Sequence, residues 1–147
     1  MENVETTFYA YQFHTICVAT NYRGCGSSQG TDAFGGDDVH DVIHLIDLCQ
    51  KLDYVDTNQI NMLGVSRGGM MTYETLREDK RIHKAVVVAG VADCSMSYEE
   101  RSDMQPLFKE LIGGTPKLSG IKFLRKRFLP KKRNCQNKTR PDIDYVI

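Results

Sequence analysis

Apolar residues follow two different periods between residues 14 and 112. Three short runs are almost continuously apolar, which predicts β-strands covered on both faces, at residues 14–22, 60–65 and 84–93. Three longer stretches repeat apolar residues every three or four positions, which predicts amphipathic helices, at residues 37–52, 67–78 and 97–112. The predicted elements therefore alternate, strand and then helix, three times.

This alternation predicts the fold class. Strands that alternate with helices form a parallel sheet with helices on both faces, which is an α/β fold. In such sheets, binding and catalytic groups collect at the carboxyl ends of the strands. We expect the inward side of the second helix to consist of Met70, Met71, Tyr73 and Leu76.

The composition is that of a folded domain. The 147 residues are 41% hydrophobic and 26% charged, and no apolar run approaches the ~20 residues that a membrane helix needs, so no membrane association is expected. The N-terminus is acidic and polar, unlike a signal peptide. The five cysteines are scattered without a C-x-x-C pair, which favours reduced thiols. These features indicate a cytoplasmic protein.

Charge is distributed unevenly along the chain. Residues 1–116 carry 9 basic and 17 acidic residues, whereas residues 117–140 carry 10 basic residues and no acidic one. We therefore expect one folded domain over residues 1–116 and a basic, divergent tail over residues 117–147. The tail could contact nucleic acid, with Phe123 and Phe128 interleaved among its basic residues, but a solvated tail is the preferred interpretation and nucleic acid is not the expected partner.

The most informative motif lies between a predicted strand and a predicted helix. Gly64-Val65-Ser66-Arg67-Gly68 matches G-x-S-x-G, the pattern of a tight turn on which a serine hydroxyl stands clear of the sheet. Glycines two positions to either side, Gly64 and Gly68, would let the helix approach the strand. The N–H of Arg67, at the helix N-terminus, can donate to an oxyanion. The pattern predicts Ser66 as a nucleophile; the alternative is a glycine-rich turn with a structural serine.

Several blocks together resemble the catalytic domain of the prolyl oligopeptidase family of serine peptidases, within the α/β-hydrolase fold. They agree with the family in order and spacing, and they are ATNYRGCGSSQG (19–30), FGGDDVHDV (34–42), GVSRGGMMTYE (64–74), KAVVVAGVADCSMSYEERSDM (84–104) and LFKELIGGTP (107–116). The resemblance covers residues 13–116. It implies that Ser66 is the catalytic serine, that Arg67 supplies an oxyanion-hole N–H from its backbone, and that Arg23 is part of the scaffold. Family members attack a peptide or ester carbonyl with the serine, with histidine as base and aspartate orienting it.

The chain offers no obvious base for Ser66. The triad order in this fold is Ser, Asp, His, and the histidine that follows Ser66 is His83. His83 precedes a predicted strand of about six residues, so it should lie at the amino end of the sheet, about 20 Å from the elbow. His14 is expected to be misplaced in the same way.

The sequence offers three candidates for the acid of the triad. Asp93 follows the third predicted strand on the elbow side, but the resemblance implies that the acid comes one strand later, so a loop or pocket role is preferred for Asp93. Asp142 and Asp144 lie just before that later strand would begin.

A pair of histidines and a cysteine are further candidates for function. His40 and His44 share a face of the first helix and could bind a metal ion, but no third ligand is evident and solvated histidines are preferred. Cys94 has no histidine placed to activate it. No cofactor and no metal ion are expected.

The leading hypothesis is a serine hydrolase, most simply a peptidase that forms an acyl-serine intermediate on a peptide or ester substrate. We expect a partial copy of the family's domain, without its first strands and without the later strands that carry the acid and the histidine, and with little turnover of its own. The alternative is a catalytically inactive α/β-hydrolase-like binding or scaffold module. A divergent lid, a truncation and a shifted reading frame stay open for residues 117–147, as does the oligomeric state.

Overall fold

The structure is a computed structural model that describes residues 4–112. These residues belong to two compact units, one ending at Val91 and the other beginning at Ala92. The basic tail predicted for residues 117–147, with Asp142, Asp144 and the two interleaved phenylalanines, lies outside the described residues.

Among the described residues, the first unit contains three α-helices, one 3-10 helix and two strands. In chain order they are α1 (Val4–Phe13), a 3-10 helix (Gly36–Asp38), α2 (Val39–Cys49), β1 (Asn61–Val65), α3 (Arg67–Glu78) and β2 (Lys84–Val88). The helices predicted over residues 37–52 and 67–78 and the strand predicted over residues 60–65 are confirmed to within a few residues. The sequence pattern does not predict α1, because its apolar residues show no helical period.

The two strands form a parallel pair joined by a helix. Asn61 is opposite Lys84, and the register continues to Val65 opposite Val88. Parallel neighbours need a crossover connection, and α3 supplies it; α3 contacts both strands and α2. This β–α–β arrangement confirms the predicted α/β class.

The core of this unit lies between α2, α3 and β1. Its fully or almost fully buried apolar side chains are Phe34, Val39, Ile46, Met62, Met70 and Met71. Met70 and Met71 were predicted to face inward and do so. Tyr73 and Leu76 are only partly buried, because the buried face of α3 runs instead through Thr72, Glu74 and Thr75.

The strand predicted for residues 14–22 is wrong. These residues form no strand, and within residues 4–112 only β1 and β2 pair with each other. A strand persists only where a neighbour satisfies its backbone N–H and C=O groups, and an apolar run does not specify that neighbour. Ile16 is 45% exposed, so this run is not buried as the pattern predicts.

β2 is shorter than the sequence predicts and is not covered on both faces. It ends at Val88 rather than near residue 93, because Ala89 adopts a left-handed backbone conformation with φ 49°. Val88 is 48% exposed and Val65, opposite it, is 54% exposed. The two strands therefore end in apolar side chains that the described residues leave partly open.

The second unit contains two helices where one was predicted. They are α4 (Cys94–Glu100) and α5 (Gln105–Ile112), separated by a 3-10 helix (Ser102–Met104). Pro106 explains the break, because a proline inside a continuous helix removes a hydrogen bond and clashes with the preceding turn. The break places Pro106 in the first turn of α5, where its missing N–H is harmless.

No helix within residues 4–112 has the length and apolar character needed to cross a bilayer.

Candidate active site

Ser66 lies on a sharp turn between a strand and a helix. β1 ends at Val65 and α3 begins at Arg67, so Ser66 is the only residue between them. Its backbone has φ 54° and ψ −114°, a region that residues with a side chain rarely adopt and that costs about 1–3 kcal/mol. Ser66 is exposed. An exposed serine on a strained turn between a strand and a helix is the arrangement that the G-x-S-x-G pattern predicts, and we call this turn the elbow.

Backbone hydrogen bonds fix this turn on both sides. The Ser66 N–H donates to the carbonyl oxygen of Val88 at 2.9 Å, which extends the β1–β2 ladder by one residue. The Ser66 carbonyl accepts from the N–H groups of Gly69 at 3.0 Å and Met70 at 3.2 Å, which begins α3. The strained residue is therefore held by the sheet and by the helix at once.

Two glycines allow the helix to pack this closely. A Cβ added to Gly64 would lie 2.2 Å from the Gly68 carbonyl oxygen, and a Cβ added to Gly69 would lie 2.6 Å from the Cα of Gly90. Both distances are far below van der Waals contact. A Cβ added to Gly68 would meet nothing within 4 Å. The sequence pattern therefore identified Gly64 correctly, but the close approach on the helix side occurs at Gly69 and not at Gly68.

Arg67 is the first helical residue after the serine, and its backbone N–H lies at the N-terminus of α3. The first N–H groups of a helix have no partner within the helix, and they carry the positive end of the helix dipole. An N–H in this position is suited to stabilise negative charge beside Ser66, which is the role that the resemblance implies for Arg67.

The side chain of Arg67 has a second set of contacts that the sequence does not predict. Its Nη1 donates to Asp32 Oδ2 at 2.7 Å and its Nη2 donates to Asp32 Oδ1 at 2.6 Å. Nη2 also donates to Asp38 Oδ2 at 2.9 Å. The guanidinium lies over the rings of Tyr22, at 4.6 Å, and Phe34, at 5.0 Å. We call these five residues the Arg67 cluster.

The two carboxylates of the cluster are held by their own loop as well. Asp38 is fully buried and accepts from the backbone N–H of Ala33 at 3.2 Å and of Gly35 at 3.1 Å. Asp32 accepts from the N–H of Phe34 at 2.7 Å. The hydrogen bonds from Arg67 lower the pKa of Asp32 to about 2, so Asp32 is ionised at neutral pH.

Glu74 is a buried carboxyl about two turns beyond Arg67 along α3. It has no exposed surface, and burial raises its pKa to about 7. Its Oε1 accepts from the N–H of Gly36 at a long 3.4 Å. Its Oε2 has no hydrogen-bond partner within the described residues. Glu74 therefore approaches the loop that carries Asp38, and its charged form is poorly compensated there.

Within residues 4–112, no backbone or side-chain hydrogen bond joins Ser66 to a histidine. His83 donates its backbone N–H to the carbonyl of Ile60 at 2.7 Å, which places it beside the amino end of β1, one five-residue strand or about 16 Å from the elbow. His14 follows α1 in a turn, so the prediction that a strand separates it from Ser66 no longer applies.

The remaining candidates have local roles. His40 Nδ1 lies 3.1 Å from the carbonyl oxygen of Asp37, and the described part of the chain brings together no group of three side chains that could hold a metal ion. In the second unit, Asp93 caps α4 by accepting from the N–H groups of Ser95 at 2.9 Å and Met96 at 3.0 Å. Cys94, next to it, is buried.

Arg23 has the contacts expected of a scaffold residue. Its Nη2 donates to Asp41 Oδ1 at 2.8 Å, and its backbone N–H donates to Asp41 Oδ2 at 2.8 Å. These bonds join the loop after residue 22 to α2, and they lower the pKa of Asp41.

Comparison with known proteins identifies the family of the chain. The sequence model of the prolyl oligopeptidase family matches residues 3–128. The chain is 36% identical over 103 residues to the protein named Uncharacterized peptidase YtmA of Bacillus subtilis (strain 168), an alignment that covers 69% of this chain and 40% of that one. It is 31% identical over 118 residues to Dipeptidyl-peptidase 5 of Porphyromonas gingivalis, covering 70% of this chain and 17% of that one.

The chain therefore spans less than half of the length of either relative, and no solved structure gives a significant match. The family match nevertheless covers most of the chain. This chain belongs to the prolyl oligopeptidase family.

Proposed function

We propose that this chain carries the nucleophile of a serine hydrolase that acts on peptides, with Ser66 forming the acyl intermediate. The observation that carries the proposal is the backbone of Ser66, held at φ 54° on an exposed turn between β1 and α3. The membership of the chain in a peptidase family and the peptidase names of both relatives support a peptide as substrate.

The proposed reaction begins at the Ser66 hydroxyl. Its Oγ attacks the substrate carbonyl carbon, an O–C bond forms, and the carbonyl electron pair moves onto oxygen. The N–H of Arg67 donates to this oxyanion; donors of this kind are worth roughly 3–4 kcal/mol of transition-state stabilisation. The intermediate then expels the amine or alcohol, which leaves with a proton, and water later hydrolyses the acyl-serine.

The serine proton needs an acceptor. In the Ser-His-Asp mechanism a histidine accepts it and an aspartate orients the histidine. Residues 4–112 place no histidine in hydrogen-bond contact with Ser66. We therefore expect acylation by activated substrates but slow turnover by the 147-residue chain, because removing the triad costs about 10⁶-fold in kcat in a well-studied serine protease.

An activated ester tests this proposal. A p-nitrophenyl ester mixed with the chain should release a burst of nitrophenol that approaches one equivalent, followed by a slow phase, and Ser66→Ala should abolish the burst. Fast turnover that is lost in Ser66→Ala would show that a base is present. A release rate identical in the chain and in Ser66→Ala would contradict the proposal.

One observation favours a second candidate, a catalytically inactive binding or scaffold module. That observation is the absence of a histidine partner for Ser66 among the described residues. Such a module would bind peptides without reacting with them. A peptide that binds in calorimetry, while the mass of the protein stays unchanged during incubation with the activated ester, would favour this candidate.

A further inference from the structure

We propose that Asp32 and Asp38 are positioning residues for the elbow, which they hold through the guanidinium of Arg67. This inference rests on the proposed function, because it concerns the geometry that Ser66 and the Arg67 N–H need for reaction. Neither carboxylate is expected to touch a substrate. Their effect is to keep the residue after the nucleophile in one conformation.

These contacts hold the Arg67 side chain in one arrangement. The two-pronged pair with Asp32 fixes the plane and the direction of the guanidinium. The bond from Nη2 to Asp38 adds a third fixed point at 2.9 Å. The rings of Tyr22 and Phe34 lie against the guanidinium and hold it by cation–π contact. Lysine could supply the charge but not the planar fork.

Both carboxylates are held by backbone N–H groups of their own loop, independently of Arg67. Asp38 is bound by the backbone N–H groups of Ala33 and Gly35, and Asp32 by that of Phe34. Each aspartate is therefore oriented by its own loop before it meets the arginine. An anchor of this kind can impose a position on the first residue of α3.

The anchor can hold a strained turn because relaxing the turn would disturb a buried ion pair. The backbone of Ser66 is strained at φ 54°. Moving Arg67 away to release that strain would leave the fully buried Asp38 with less compensation for its charge. A buried carboxylate that loses its cation is penalised more than a single strained residue, so the strained conformation is retained.

The chain contains a matched control. Arg81 donates to Asp47 Oδ1 at 2.6 Å, a pair of the same chemistry in the same unit, but it lies beyond the opposite end of α3 from the elbow. Asp47→Asn removes an arginine–aspartate pair without touching the turn. Asp32→Asn removes the corresponding charge at the elbow.

The test is the reaction of Ser66 with a fluorophosphonate, in which an Oγ–P bond forms, fluoride leaves and the hydroxyl proton passes to solvent. The rate constant for bond formation, kinact, and the binding constant, KI, are measured separately on folded protein. Asp32→Asn and Arg67→Lys should each lower kinact by about 10-fold or more with KI unchanged, because small misplacements at a reacting centre have effects up to about 10²-fold. Asp47→Asn should stay within about twofold of the wild type.

The outcomes separate this inference from the proposed function. If the wild type is labelled and both elbow variants, while folded, keep its kinact, the inference is overturned and the proposed function stands. If the wild type is not labelled, the proposed function fails, and hydrogen exchange at the Ser66, Gly69 and Met70 amides decides the inference. Faster exchange at those amides in Arg67→Lys than in Asp47→Asn supports the anchoring role, and equal exchange overturns it.

Discussion

An arginine ties each end of α3 to the rest of its unit, and the two ties differ in their surroundings. At the elbow end is the Arg67 cluster, with a fully buried carboxylate and two aromatic rings. Three residues beyond the other end, Arg81 pairs with a second set of acceptors, which we call the Arg81 cluster and which comprises Asp47, Gln50 and Asp79. Within residues 4–112 no aromatic ring lies against Arg81, and its acceptors range from the buried Asp79 to Asp47, whose side chain is 44% exposed.

This difference indicates which end of α3 must be held rigidly. The far end only docks α3 onto α2, through the buried Asp79 and the partly exposed Asp47, and it holds no strained residue. The elbow end has to maintain Ser66 in a conformation that the chain would otherwise leave. Burial, planarity and stacking supply that rigidity, and each of them makes the elbow end more sensitive to substitution.

The largest expected effect comes from the glycine under the elbow. Gly64→Ala should destabilise the chain by about 4 kcal/mol or prevent folding, because its Cβ would overlap the carbonyl oxygen of Gly68. Gly68→Ala is the control, and it should be neutral or stabilising by up to about 1 kcal/mol, since its Cβ meets no atom and alanine favours helix. Urea unfolding followed by circular dichroism measures both. Equal destabilisation by the two variants would contradict the packing described at this end.

Removing the two arginines compares the ends directly. Arg67→Met should cost about 3 kcal/mol, because Asp38 stays buried and, among the described residues, Arg23 at 3.7 Å is the one cation left near it. Arg81→Met should cost less, about 2 kcal/mol, because the buried Asp79 keeps the backbone N–H of residue 81 at 2.8 Å and Asp47 can be solvated. Thermal unfolding of both variants at neutral pH gives the comparison. A larger loss in Arg81→Met than in Arg67→Met would reverse the proposed ranking of the two ends.

Glu74 makes the elbow end sensitive to pH. Its pKa is raised to about 7 by burial, with Asp38 and Glu78 acting in the same direction and Arg77 and the Gly36 N–H opposing them. The folded state therefore holds the proton more tightly than the unfolded state. The resulting stability is fully present below pH 4.5 and is lost as the pH rises through 7, a change of about 2–3 kcal/mol.

Glu74→Gln removes this dependence while keeping an acceptor for the Gly36 N–H. Unfolding free energies measured from pH 5 to pH 8 should fall more steeply for the wild type than for Glu74→Gln. Parallel curves for the two proteins would show that Glu74 is not the group responsible.

A smaller effect of opposite sign is expected from Asp32. Arg67 lowers its pKa from 3.8 to about 2, so its contribution is present above pH 4 and is lost as the pH falls through 2. We expect about 1–2 kcal/mol from this group, after allowance for its partial exposure. The difference in unfolding free energy between the wild type and Asp32→Asn should shrink by that amount between pH 4 and pH 2. A constant difference would count against the ion pair.

Local patterns in the sequence were enough to predict the strand, the elbow and the helix around Ser66. The period of α3, the G-x-S-x-G motif and the short apolar run before it act within about 20 consecutive residues. The prediction failed where the outcome depends on partners distant in sequence. The run at residues 14–22 has strand composition but no neighbouring strand among the described residues, and the glycine that packs against the chain beyond β2 is Gly69 rather than Gly68.

The acidic members of the arginine clusters leave a signal in the sequence from which such clusters could have been predicted. Between residues 24 and 50 the chain has five acidic residues and no lysine or arginine, the acidic ones being Asp32, Asp37, Asp38, Asp41 and Asp47. Buried or half-buried carboxylates need cations, so arginines outside this segment had to approach it. Composition alone could not say which arginine meets which aspartate, because that choice follows from how α3 lies against α2.

The most direct test of the central claim is to locate a fluorophosphonate adduct by peptide mass mapping of the 147-residue chain. We expect one adduct per chain, on Ser66, and no adduct in Ser66→Ala. A folded chain that acquires no adduct, or that is modified at another serine while Ser66 stays free, would contradict the claim that the strained elbow presents an activated nucleophile.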